Sequence, residues 1–273
     1  MKKFFEKHVF LRVFAAIAMA LILLYFVKFL VVGLGHVRFE SNLGYFIREV
    51  LQKVLPTILT AGVFGTLYVL KNFKEGLGKS FLSGGWIVFL SLFGSFFVLS
   101  TNFENGARLK SIPELIFYVL FLLMVGLSEE LLFRGTVEQI LLSRFGDKGR
   151  GMVLSVVISA LLFGLYHLPN YFSGQGFRST LMQMVGTAMM GMLFGAIYAK
   201  RKNLYGVAIL HAMIDFFTLG DIGLFQGASM ASVHTTANQS TWFWTLVSNG
   251  TFVIVAIIVM LPKKKKIRKE DQK

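Results

Sequence analysis

The chain alternates long apolar runs with short polar connections. A bilayer crossing takes about 20 mostly apolar residues in a helix. Eight runs approach that length: 13–33, 52–70, 81–100, 113–133, 152–170, 180–199, 204–220 and 241–261. Most are apolar around the full circumference, as in helices that face both lipid and neighbouring helices. The runs are continuous, whereas a transmembrane β-barrel would show alternating segments of about ten residues. The pattern predicts an all-α, polytopic membrane protein of about eight transmembrane helices. The first run has a basic start (Lys2, Lys3) and a small-residue triplet, Ala18-Met19-Ala20. The triplet lies inside the apolar run, so the segment reads as a retained helix and not a cleaved signal.

Composition sharpens this picture. Of 273 residues, 55% are hydrophobic and 15% charged, against about 25% charged in a soluble domain. Such a chain cannot be disordered, and without cysteine it cannot be a disulfide scaffold. The net charge of +14 would suggest nucleic acid on a soluble protein, but here it has another use. With the N-terminus placed in the cytoplasm, the inner segments hold 21 Lys and Arg and the outer ones six, with Lys28 inside the first run. That asymmetry predicts cytoplasmic N- and C-termini. The basic tail after Pro262 reads as a topology anchor that touches anionic lipid. Nucleic acid is not an expected partner. The stretch 221–240 has no Lys or Arg and reads as a flexible outer loop. No internal repeat is evident, which counts against a transporter.

Ionisable groups inside apolar runs are costly and usually functional. The spans hold Glu129, Glu130 and Asp215, with His167 and His211. Glu129 and Glu130 are adjacent, so they point about 100° apart on a helix. Glu130 and Arg134 are four apart and can pair along the helix, which leaves Glu129 locally unpaired and free to act as a base. His167 follows Phe163 by one turn, and Pro169 limits its helix. His211 and Asp215 also share a face. Asp215 could orient His211 by accepting its ring proton, or a protonated Asp215 could donate to an oxyanion beside it.

These three motifs, in this order, resemble those of the CAAX protease and bacteriocin-processing (CPBP, or Abi) family of intramembrane proteases. They read Glu129-Glu130-x-x-x-Arg134, Phe163-x-x-x-His167 and His211-x-x-x-Asp215, across roughly residues 113–220. The resemblance implies a bacterial endopeptidase in the cell inner (plasma) membrane. Its substrate would be a peptide or protein in the bilayer, prenylated in CAAX-type processing, or of the bacteriocin self-immunity class. Glu129 and His167 would activate water, with His211 and Asp215 on the oxyanion side. Many members carry Asn where Asp215 stands. The family is often called a metalloprotease family, and Glu129, His167 and His211 could hold zinc with an open position. The His-Glu-x-x-His helix of common zinc peptidases is missing, and glutamate-activated water needs no metal, so no cofactor is required on this reading.

The chain then divides into three parts. Residues 1–112 hold the first three helices, 113–220 the catalytic core, and 221–273 the outer loop, last helix and cytoplasmic tail. The same polar groups would also suit a proton-coupled transporter, or a non-catalytic regulatory partner of another membrane protein. One difficulty is depth. At about 1.5 Å per residue, Glu129 falls about 8 Å and His167 about 22 Å from the inner ends of their spans. Their convergence requires a tilted helix or a fifth span that starts later.

Overall fold

Eight principal helices follow one another in a computed structural model that describes residues 8–36, 39–227 and 239–261. They are α1 (Val9–Leu34), α2 (42–63), α3 (Leu77–Glu104), α4 (Ile112–Phe145), α5 (Gly149–Leu165), α6 (Phe177–Arg201), α7 (Leu204–Thr218) and α8 (Gln239–Met260). Among the described residues there is no strand, only one isolated bridge between Leu109 and Phe225. Lys2, Lys3, most of the 221–240 stretch and the basic tail lie outside the described residues.

Among the described residues, four helices are long and apolar enough to cross a membrane: α1, α4, α6, and α5 taken on to Phe172. The two halves of α3, Leu77–Ile87 and Leu92–Glu104, meet at 49° and make a fifth candidate. Helix α7 and the Thr245–Met260 part of α8 are apolar but shorter.

Two helix boundaries differ from those expected, and both differences bear on the site. The second apolar run was expected at 52–70, but the helix begins at Asn42 and ends at Val63. Gly65, at φ +70°, turns the chain, and the Thr66 N–H closes the end on the Ala61 carbonyl. Residues 34–51 were expected as a loop, but 42–51 are helical, with Asn42 and Glu49 turned inward to polar partners. The fourth span was expected to end at 133, with 134–151 a loop. Instead α4 runs on to Phe145 through a π-helical stretch, Leu131–Glu138, whose eight residues are all buried. Arg134 and Glu138 are fully buried on this stretch, so Arg134 is a core residue and not an inner-loop charge.

Continuation of α4 also removes the depth difficulty. Glu129 lies about 24 Å of helix from Phe145, and His167 about 27 Å from Gly149, at about 1.5 Å per residue. The two reach the same level with no late start to α5.

Helix α6 packs between α5 and α8, α7 against α3 and α4, and the first half of α2 against α4. Small residues allow these close contacts. A Cβ on Gly126 would strike the Ala208 carbonyl oxygen, so α4 and α7 touch backbone to backbone beside the site. The two ends of the bundle are distinct. At one end, Arg12 Nη2 donates to the Phe64 carbonyl at 3.0 Å, Phe10 and Phe145 rings meet at 6.2 Å, and Asn203 Nδ2 donates to the carbonyls of Asn72, Phe73 and Glu75. At the other, the Asn42 N–H donates to Glu114 Oε2 at 2.8 Å, and Lys110 Nζ donates to the Ile222 carbonyl at 2.9 Å.

Candidate active site

The site is built where α2, α4 and α7 meet the end of α5. Glu130 and Arg134 pair on α4, with Nη1 donating to Oε1 at 3.1 Å and Nε in ionic contact with Oε2 at 3.1 Å. Arg134 Nη2 also donates to the Gly191 carbonyl at 3.0 Å, and its guanidinium lies 4.6 Å from the centre of the Phe163 ring. A buried charge needs both a counter-charge and hydrogen bonds, and this arginine has both. Gly191 leaves the space: a Cβ there would come within 3.1 Å of Arg134 Nη2.

Glu130 does more than hold Arg134. His211 Nδ1 lies 2.9 Å from Glu130 Oε1 and donates to it. The imidazole stacks on Phe194, with ring centres 5.4 Å apart and planes tilted by 28°. With Nδ1 committed, Nε2 faces two further carboxylates, Asp215 Oδ2 at 3.5 Å and Glu129 Oε2 at 3.9 Å. The sequence showed Asp215 as the neighbour able to orient His211. The shorter contact is to Glu130, from another helix.

Glu129 is not free, as its helix alone would suggest. Lys53 Nζ, on α2, donates to Glu129 Oε1 at 3.3 Å and lies at the same distance from Glu49 Oε1. Glu49 is itself buried and accepts from Ser128 Oγ at 3.0 Å. Glu49 and Lys53 escaped sequence reading because their run is polar. The i, i+4 spacing of opposite charges was the available signal. Glu138 was also missed; it is fully buried, and neither carboxylate oxygen has a hydrogen-bond partner among the described residues.

His167 sits in the turn just past the end of α5 and not within the helix, because α5 stops at Leu165 and Pro169 starts a new short helix, Pro169–Phe172. Its Nδ1 donates to the Phe163 carbonyl at 3.0 Å, so in the neutral ring the acceptor nitrogen is Nε2. Glu129 and His167 line one cavity of about 680 Å³, together with Glu49, Lys53, Tyr166 and Asn170. Its wall mixes carboxylate, ammonium, imidazole and amide groups, so it suits water, which a hydrolase inside a membrane must admit.

The zinc alternative fares less well. Among the described residues, no three His, Asp or Glu side chains are grouped so as to hold a metal ion. Glu129 is held by Lys53, whereas the Nδ1 contacts of His211 and His167 leave each Nε2 as the ring nitrogen a metal would take. The residues present do not form the Glu129, His167 and His211 ligand set.

With this geometry in view, comparison with known proteins is informative. Residues 111–217 match the family described as type II CAAX prenyl endopeptidase, Rce1-like. Those residues hold all three motifs and four of the eight principal helices, α4 to α7. Over that stretch the chain is similar to the CAAX protease family, and the match supports a multi-pass membrane protease of that kind. No curated protein and no solved structure matches the chain.

Proposed function

We propose that this protein is an intramembrane endopeptidase that cleaves a peptide bond of a membrane-associated protein with water activated by Glu129. The observation that carries the reading is that Glu129 lines a polar cavity with His167 while facing His211 Nε2 at 3.9 Å. The chemistry can be followed atom by atom. A water held between Glu129 and His167 Nε2 gives a proton to the Glu129 carboxylate as its oxygen attacks the peptide carbonyl carbon. The carbonyl oxygen gains the electron pair and becomes an oxyanion. A doubly protonated His211, with Nδ1–H on Glu130 and Nε2–H towards the substrate, donates to that oxyanion. The intermediate collapses, the C–N bond breaks, and the proton on Glu129 passes to the leaving amine.

In this scheme Asp215 has no need to donate. It accepts from His211 Nε2–H in the resting site and supplies negative charge beside the ring. Glu130 and Arg134 touch no substrate and position His211. No step is routed through a metal. A prenylated C-terminal segment is the substrate class that the family description suggests, and the plasma membrane of a bacterium is the proposed location.

The test is cleavage of a peptide library, with and without prenyl groups, by purified wild type and Glu129→Ala. Wild type cleaves at least one peptide, and Glu129→Ala cleaves none while keeping its thermal unfolding profile. Equal cleavage by the two would remove Glu129 as the base. Absence of cleavage by wild type on any peptide would favour a non-catalytic regulatory role.

A further inference from the structure

We propose that the cavity serving Glu129 and His167 opens on the extracytoplasmic side of the membrane. Its substrate would then be a polypeptide segment exposed at the outer leaflet, either already translocated or anchored there, and not a prenylated segment, whose lipid is attached in the cytoplasm. The inference deepens the peptidase reading and rests on it for the word substrate. The sidedness itself rests on where the cavity walls and the basic residues lie.

The walls come from one end of the bundle. Lys28 and Val32 lie late in α1, Glu40 in the connection after it, and Arg48 in the first half of α2. Asn170 and Ser173 lie beyond α5, and Gln183 near the start of α6. Lys28, Glu40 and Ser173 are exposed, so the cavity reaches the surface at that end. The turns at the other end, 64–76, 146–148 and 202–203, contribute no residue to it.

The excess basic charge lies at that other end. Its turns and flanking helix termini carry Lys71, Lys74, Arg144, Lys148, Arg150, Lys200, Arg201 and Lys202, against Glu75 and Asp147. The sequence leading into α1 and out of α8 continues the pattern with Lys2, Lys3, Lys7 and the run from Lys263. The cavity end carries Lys28, Arg48, Lys53, Arg108, Lys110 and Arg178, but Glu40, Glu49, Glu104, Glu114 and Asp221 lie beside them and nearly cancel that charge. Segments rich in Lys and Arg stay in the cytoplasm when short loops are sorted across a bilayer. The basic end is therefore cytoplasmic and the mouth of the cavity is outside.

The absence of cysteine from the sequence makes the experiment direct. Single cysteines are placed in the full chain at the mouth, as Ser173→Cys and Glu40→Cys, and near the basic end, as Ser143→Cys; all three positions are exposed. Intact cells are treated with a membrane-impermeant maleimide. The expected result is labelling of both mouth positions in intact cells and of Ser143→Cys only after permeabilisation. Labelling of Ser143→Cys in intact cells, or of the mouth positions only after permeabilisation, would overturn the proposal. Two mouth positions guard against one variant that fails to fold. Labelling needs no turnover, so its outcome is independent of the Glu129→Ala comparison that tests the peptidase reading.

Discussion

His211 on α7 is oriented by Glu130 on α4, with Nδ1 and Oε1 2.9 Å apart. One carboxylate thus joins the buried arginine of its own helix to the imidazole of another. This assigns different tasks to the two acidic residues around His211, and mutation can tell them apart. Asp215→Asn keeps an oxygen that can accept from Nε2–H, so its activity stays within about tenfold of wild type. Glu130→Gln leaves His211 poorly set and costs about 10²-fold in kcat, the scale of one lost oxyanion donor. Steady-state cleavage rates of the two variants check this, and the reverse ranking would assign the orienting role to Asp215.

Arg134→Ala removes the partner of a fully buried glutamate. Breaking a buried pair on one side costs about 3–5 kcal/mol, and here Glu130 keeps only its contact with His211. Thermal unfolding in detergent should show a large loss of stability together with loss of activity. An unchanged midpoint would mean that the pair contributes little to the fold.

Lys53 separates two carboxylates, those of Glu49 and Glu129, each 3.3 Å from its ammonium. Lys53→Met leaves the two acids facing each other without the ammonium they share, Glu49 keeping only Ser128 Oγ as a donor. The loss is about 1–3 kcal/mol, the cost of an unsatisfied buried polar group. Activity should fall in the same variant and recover in part in Lys53→Arg. Adding Glu49→Gln to Lys53→Met should recover part of the stability. A double-mutant cycle that is additive within about 0.5 kcal/mol would show that the three groups are not coupled.

Gly126→Ala forces a methyl group against the Ala208 carbonyl, where α4 and α7 touch. Overpacking of this kind costs about 1–3 kcal/mol. It also moves Glu130 away from His211, so kcat should fall by more than the stability loss alone would explain at a temperature where the variant stays folded. Cleavage and unfolding measured together separate the two effects.

Peptide cleavage should survive extensive chelation, because the catalytic steps assigned to Glu129, His167 and His211 pass no atom through a metal. Turnover by a metal-stripped preparation is the measurement. Inactivity that zinc alone reverses would require a different catalytic scheme.

Much of this protein was legible one-dimensionally. Apolar run length marked the chain as helical, because the need to satisfy backbone hydrogen bonds in lipid leaves a continuous apolar segment little choice but helix. Of the eight spans expected, four helices and one bent pair among the described residues are long and apolar enough to cross a membrane. The i, i+4 pairs Glu130–Arg134 and His211–Asp215 were legible too, since helix geometry alone brings them together. Reading failed where polarity was taken to mean loop. Residues 42–51 and 134–145 are helical, and Asn42, Glu49, Arg134 and Glu138 among them are buried. A window average cannot tell a charge that meets water from one that meets a buried partner.

What the sequence by itself determined was a helical membrane protein and the set of groups able to do its chemistry. Only the tertiary structure decided which of those groups meet. It put Lys53 beside Glu129 and gave His211 to Glu130, and it brought His167 to the Glu129 cavity through an α4 longer than its apolar run. The reason is one of range. Helix formation and i, i+4 pairing depend on neighbours along the chain, whereas these contacts join residues 76, 81 and 38 positions apart. They form only once small residues such as Gly126 let the helices close on one another.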